Sequence, residues 1–279
     1  MERKFGIALT IITIGTVASG WIGAAVNRAL GEPHQRESLG TLIWISLPLL
    51  LVFIARLLRC AKSSGRWMPR FRQAWPMYLV ALAAFPVVTA LTVGVSAAAG
   101  WMSIAPFDWG RLLPVVGSAL VAAMLKNVFE EAVWRSWFTG ELDARKWPDW
   151  AVYLVVGLVW ALWHVPYYLF FLPESDMRFI LDVPRGVFAL VAGFTMMAWG
   201  VLFTEVYRIA KSIWPVVLLH AVEDATVNPI LLDGHVIVEP GRAIWVSPVV
   251  GIVPALLYMA LGFGLRAWRR RSATSPANR

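Results

Sequence analysis

Residues 150–172 read WAVYLVVGLVWALWHVPYYLFFL, an apolar run that contains no Asp, Glu, Lys or Arg. About 20 consecutive apolar residues allow a helix to cross the hydrocarbon core of a bilayer. Outward from this run, the chain shows eight segments of this character, at residues 5–27, 40–58, 75–99, 112–139, 150–172, 186–207, 213–231 and 244–266. The sequence therefore predicts an all-α polytopic membrane helix bundle with about eight transmembrane helices.

The composition of the 279-residue chain supports this prediction. Hydrophobic residues make up 59% of the chain and charged residues 15%, whereas an average soluble domain has about 45–50% and about 25%. The single cysteine, Cys60, excludes an internal disulfide framework. We interpret the N-terminal apolar run as a first span, because it continues through Val26 and no clean small-x-small cleavage site stands out. We expect a single membrane domain over residues 1–279, with a basic cytoplasmic tail at 267–279 that is disordered from Arg269 onward.

The distribution of positive charge predicts the orientation of the bundle. The formal net charge of +8 would favour nucleic-acid binding in a soluble protein, but here the basic residues lie between apolar spans. If the N-terminus is cytoplasmic, 17 of the 25 Lys and Arg residues lie inside and 6 outside, while Lys126 and Arg135 lie within a span. This is the positive-inside pattern. We therefore expect both termini in the cytoplasm and no nucleic-acid partner.

Ionisable side chains occur within several predicted spans, where they cost several kcal/mol unless paired or hydrated and so mark functional sites. They form three clusters, at Lys126 to Arg135, Trp160 to His164 and His220 to Asp224. At about 1.5 Å per helical residue, each cluster lies about 12–21 Å from the cytoplasmic end of its span. The matched depths predict that the three clusters form one intramembrane site.

Helical spacing separates the two neighbouring glutamates. Glu131 and Arg135 are four residues apart, so they share a face and can form a carboxylate–guanidinium pair. Such a pair also has a purely structural explanation, because pairing is how charged groups persist in lipid. Glu130 is rotated by about 100° from Glu131, so it can point toward His164.

The third cluster completes a set of groups that is typical of hydrolases. His220 and Asp224 are four residues apart and also share a face. In such a set, one carboxylate takes a proton from water, an imidazole assists, and the remaining donors stabilise an oxyanion. A single histidine on either span would be explained by packing alone. The His-Glu-x-x-His, Gly-x-Ser-x-Gly and phosphate-loop signatures are absent from the sequence.

The three clusters, in this order, resemble the motifs of the CPBP intramembrane proteases. This family comprises CAAX-processing endopeptidases and bacteriocin-processing or immunity proteins, and is also called the Abi family. The resemblance lies in Glu130-Glu131-x-x-x-Arg135, an aromatic residue four positions before His164, and His220-x-x-x-Asp224. By this resemblance, the motif-bearing protease core is expected at about residues 112–231, and Glu131 with Arg135 is a supporting pair.

The resemblance also implies roles for the other site residues. Glu130 matches the catalytic glutamate that activates water together with His164, while His220 and Asp224 match the positions that stabilise the oxyanion. Metal-dependent and metal-free mechanisms have both been argued for the family. Zinc is therefore a possible cofactor, with Glu130, His164 and His220 as its expected ligands, and no other cofactor is predicted.

The sequence departs from the usual family pattern at several positions. Trp134 and Trp160 stand where the family usually has Phe, and Ser136 stands where Gly is common. Lys126 is unusual and can pair with the catalytic glutamate one turn later. Asp224 often corresponds to Asn in the family, which weakens the oxyanion assignment at this position.

The predicted function is intramembrane cleavage of a peptide bond near the cytoplasmic face, in the manner of a CAAX prenyl protease. The predicted partners are the lipid bilayer and a peptide or membrane-protein substrate, which can be prenylated. The expected location is a bacterial inner membrane. The alternatives are a non-catalytic, bacteriocin-immunity-type membrane binding protein and an ion-coupled transporter. Transport is disfavoured because the ionisable clusters are confined to spans four to seven.

Overall fold

The computed structural model describes residues 2–31 and 37–274, and it confirms the predicted all-α membrane bundle. Seven helical segments among these residues are long and apolar enough to cross a membrane. In chain order the elements are α1 (Glu2–Ala29), α2 (Leu39–Leu57), α3 (Phe71–Ala98), β1 (Met102–Ile104), α4 (Trp109–Glu131), the π-helix π1 (Ala132–Thr139), α5 (Gly140–Ala144), α6 (Asp149–Pro166), the π-helix π2 (Tyr167–Phe171), α7 (Glu174–Ile180), α8 (Arg185–Ala210), α9 (Trp214–Leu232), β2 (Val236–Val238), α10 (Ala243–Val246) and α11 (Ile252–Thr274).

The chain folds as two compact units, of which the first comprises residues up to 65 and residues 128–197. In this unit α1 and α2 approach closely at Gly23 and Gly40, where a Cβ on either glycine would clash with the carbonyl oxygen of the other. Asn27 strengthens this contact, since its amide accepts from the Gly40 N–H at 2.8 Å and donates to the Ser38 hydroxyl at 2.7 Å. Small residues and interhelical hydrogen bonds are the usual means of helix association in membranes.

The second unit comprises residues 66–127 and the chain from residue 198 onward. The aromatic ring of Phe85 on α3 is fully buried in this unit, edge-on to Trp199 at 5.1 Å and 4.6 Å from Tyr258 of α11. The strands β1 and β2 form an antiparallel pair in which Met102 lies opposite Val238. The interior of this unit therefore depends on aromatic packing among α3, α8 and α11.

The predicted eighth span, residues 244–266, differs from the observed structure. The chain forms the short helix α10 and then, after residues 247–251, the separate helix α11. Pro248 explains the break, because proline disfavours helical conformation in the residue before it. The tail prediction was wrong for residues 269–274, which continue α11, and residues 275–279 lie outside the described residues. The single-domain boundary, the eight crossings and the cytoplasmic termini stay predictions.

Candidate active site

The first unit contains a buried glutamate pair at the junction of α4 and π1. Glu130 is 6% exposed, and Glu131 is fully buried. The Arg135 Nη1 atom lies 3.3 Å from Oε1 and 3.1 Å from Oε2 of Glu131. The ion pair predicted from the sequence is therefore present. Because Glu131 is engaged by a guanidinium, the two neighbouring carboxylates have different surroundings.

Trp160 connects this ion pair to the histidine of the second motif. The guanidinium carbon of Arg135 lies 4.6 Å from the centroid of the Trp160 ring, which is within the range of a cation–π interaction. The same indole packs edge-on against His164, with 5.9 Å between ring centroids. Tryptophan has the most favourable π face for a cation, so this departure from phenylalanine strengthens the contact with Arg135.

His164 is held by its own helix and by a cluster of aromatic rings. Its Nδ1 lies 2.9 Å from the carbonyl oxygen of Trp160. A carbonyl oxygen only accepts, so Nδ1 carries the proton and the neutral ring has its lone pair on Nε2. The ring packs edge-on against Trp163 at 4.7 Å and stacks with Tyr168 at 5.8 Å. Nε2 is therefore the atom suited to accept a hydrogen bond or a proton.

Both motifs of the first unit lie at a π-helix, because Arg135 is within π1 and π2 begins three residues after His164. Pro166 has no N–H to donate, and the N–H of Tyr167 bonds to the carbonyl of His164. At the end of π2, the backbone N–H of Leu172 donates to the carbonyl of Tyr167, five residues earlier, at 2.8 Å. In π1, the Thr139 hydroxyl donates to the carbonyl of Trp134 at 3.0 Å. π-Helical turns occur frequently at functional sites.

Within the first unit, π1 is supported by two charged residues that the sequence analysis missed. Arg56 of α2 donates to the Ser136 hydroxyl at 3.1 Å and to the Ser63 carbonyl at 3.2 Å. Glu141 is fully buried and accepts from the backbone N–H groups of Lys62 and Ser63 at 2.8 and 2.7 Å. The serine that replaces the common glycine of the family thus accepts a hydrogen bond. Neither Arg56 nor Glu141 belongs to a motif, so the only sequence feature that could have indicated their role is their position near the end of a span.

The second unit contains the other predicted site residues, His220 and Asp224. The Asp224 Oδ2 atom lies 3.1 Å from the Lys126 ammonium and 2.8 Å from the Asn127 amide nitrogen. His220 is buried, with Phe203 edge-on to its ring at 5.4 Å. The sequence analysis considered Lys126 as a partner of Glu130 and did not consider Asp224 as its partner. Asn127 was also missed, although a polar residue beside Lys126 within a span was a usable signal.

The residues of each unit alone do not fit a zinc site. Catalytic zinc sites have three protein ligands. Within the described residues of either unit, no group of three or more His, Cys, Asp or Glu side chains is arranged to hold a metal ion. The expected zinc ligands are divided, with Glu130 and His164 in the first unit and His220 in the second. The steps proposed below use no metal.

The segment that carries these residues matches a known family. Residues 111–226 match the family described as type II CAAX prenyl endopeptidase Rce1-like. Among curated proteins, no match to the chain is found. The chain is an integral membrane protein with a segment of the CAAX endopeptidase type, and the resemblance found in the sequence is confirmed.

The matched segment of this CAAX endopeptidase family includes every predicted site residue, from Glu130 to Asp224. It leaves out α1, α2 and α3, as well as α10 and α11. The hydrogen bonds that Arg56 donates from α2 therefore come from outside the family segment. These contacts are features of this chain that the family motif does not describe.

Proposed function

We propose that the protein is an intramembrane endopeptidase that hydrolyses a peptide bond near the cytoplasmic face of the membrane. The observation that carries this proposal is the endopeptidase family match over residues 111–226, which contain the whole candidate site. By the family resemblance, Glu130 is the catalytic carboxylate, and Glu131, which pairs with Arg135, supports it. By the family resemblance, Glu130, His164, His220 and Asp224 have roles in the same reaction.

In this mechanism Glu130 is the general base. Its carboxylate takes a proton from a water molecule, and the resulting hydroxide attacks the carbonyl carbon of the scissile bond. His164 orients the same water by accepting its second hydrogen at Nε2, the ring atom that bears the lone pair. The proton on Glu130 then passes to the departing amine as the C–N bond breaks.

His220 and Asp224 have different proposed roles at the developing oxyanion. A carboxylate beside an oxyanion repels it, which is the reverse of what catalysis needs. Asp224 already accepts from the Lys126 ammonium and the Asn127 amide, and these donors compensate its charge. We therefore assign the oxyanion hydrogen bond to His220, with an ionised Asp224 one helical turn later stabilising the protonated imidazole.

The test of the proposed function is a cleavage assay with the purified protein in liposomes. The substrate is a peptide that ends in cysteine, two aliphatic residues and a variable residue, supplied in prenylated and unprenylated forms. A peptide with a scrambled C-terminus is the control. We expect mass spectrometry to show one new terminus in the genuine peptide. Binding of these peptides without cleavage would favour the immunity-type alternative and would contradict the proposal.

Asp224→Asn is expected to keep substantial peptide-cleaving activity and to shift its pH optimum, because the charge that stabilises the His220 imidazolium is lost, whereas Asp224→Ala lowers kcat/KM at least tenfold. The amide oxygen of Asn still accepts from Lys126, while Ala leaves that ammonium without this partner. Initial rates on one peptide measure the difference. Asp233→Ala, an exposed change at the end of the same helix, is the matched control. Parental activity in both Asp224 variants would reduce Asp224 to a scaffold residue.

A further inference from the structure

Trp44 of α2 and Trp163 of α6 exchange hydrogen bonds in the first unit. The indole N–H of Trp44 donates to the carbonyl of Trp163 at 2.9 Å. The indole N–H of Trp163 donates in return to the carbonyl of Trp44 at 3.2 Å. The two rings stack with 4.3 Å between centroids and 24° between planes. Trp163 directly precedes His164, so this exchange fixes the helical turn that carries the histidine.

Both carbonyl groups in the exchange lose their ordinary helical donor. Pro48 lies four residues after Trp44 and has no N–H, so it cannot serve the Trp44 carbonyl. The N–H of Tyr167, four residues after Trp163, bonds to the His164 carbonyl instead. A buried carbonyl needs a hydrogen-bond donor. Each indole N–H is the donor for the carbonyl on the other helix. The Trp44 carbonyl also accepts from the Ser19 hydroxyl at 3.1 Å, so the Trp163 carbonyl depends more strongly on the exchange.

We infer that Trp44 is a positioning residue for His164, an inference that rests on the proposed function of His164. The Trp44 ring lies edge-on to the imidazole at 5.8 Å and stacks on Tyr167 at 4.9 Å, on the far side of Pro166. The Trp44 ring therefore contacts residues on both sides of Pro166, where the helical turn is interrupted. With that turn fixed, the Nδ1–H of His164 stays on its helical carbonyl and the lone pair on Nε2 keeps one direction.

The test compares Trp44→Phe with the parent protein. Phenylalanine keeps a stacking ring but removes the indole donor together with the five-membered ring that carries it, and the control variant makes the same change of ring size. Trp21→Phe is the matched control, because Trp21 lies on α1 of the same unit, is 45% exposed and packs edge-on against Phe170. Proteins with ¹⁵N-labelled histidine report the tautomer of His164 directly, and a His164→Gln spectrum identifies its signal. The second readout is kcat and KM on the peptide substrate.

We expect His164 in the parent and in Trp21→Phe to show the tautomer that is protonated at Nδ1. In Trp44→Phe the His164 signals shift toward the average of the two tautomers, and kcat falls about tenfold while KM changes less than twofold. Trp163→Phe, which leaves the Ser19 donor in place, shows a smaller shift in the same direction. This variant also provides the tautomer test if Trp44→Phe does not fold.

Unchanged His164 signals in folded Trp44→Phe would overturn the positioning role, as would a loss confined to KM. The spectra do not depend on proteolysis. If the parent cleaves no peptide, the proposed function fails, yet the tautomer comparison still decides whether Trp44 positions His164. The two failures are therefore distinguishable.

Discussion

Glu130→Gln is expected to lower kcat for peptide cleavage about 1,000-fold while the protein still folds and inserts into the membrane. Glutamine has nearly the same shape as glutamate, but its amide cannot take a proton from water. Because Glu130 is 6% exposed, the change also removes a charge from a buried position, so folding is not impaired by a new desolvation cost. Single-turnover rates on the peptide of the cleavage assay measure the effect.

Glu239→Gln is the matched control for this substitution, because Glu239 is exposed and follows β2 outside the family segment. We expect this control to cleave at the parental rate. Proteolysis at the parental rate in Glu130→Gln would remove the general-base assignment. A folded but inactive Glu130→Gln protein would also serve to capture its uncleaved substrate.

Arg135→Ala is expected to destabilise the protein by about 3–5 kcal/mol, the usual cost of removing one partner of a buried ion pair. Both side chains of the Glu131–Arg135 pair are fully buried, so the change leaves a carboxylate without its guanidinium. It also removes the cation that lies over Trp160. Thermal unfolding in detergent and the yield of folded protein measure the loss.

Arg178→Ala provides a matched control, because the ion pairs of Arg178 with Glu174 and Asp182 lie at the surface. We expect its unfolding temperature to stay close to that of the parent. The double variant Glu131→Gln with Arg135→Met should recover part of the lost stability, since neither residue then carries a charge. Parental stability in Arg135→Ala would show that the pair does not support the fold, and would leave a catalytic role as its only explanation.

The apolar runs predicted the helices of the bundle because crossing a bilayer imposes a minimum length and composition on each segment. Spacing along one helix likewise predicted the contact between Glu131 and Arg135, because residues four apart share a face. The break at Pro248 was missed because the apolar run continues across it. Local pattern is thus sufficient for elements and for contacts within one helix.

Contacts between distant parts of the chain could not be predicted in the same way. Trp44 lies 119 residues before Trp163, and no local pattern pairs them. The partnership of Asp224 with Lys126 and Asn127 joins residues that are 97 or more positions apart. Family motifs record which residues do the chemistry, but they do not record the partners that orient them.

The two π-helices carry a consequence for how this chain compares with others in evolution. A π-turn closes its hydrogen bond over five residues instead of four, so deleting one residue restores an ordinary α-turn. Chains that lack π1 or π2 are therefore expected to be one residue shorter at that place, with every later side chain turned by about 100°. An alignment that forbids gaps within helices would misplace the residues after Arg135 in such chains. The order of the motifs is thus a better indicator of homology than the number of residues between them.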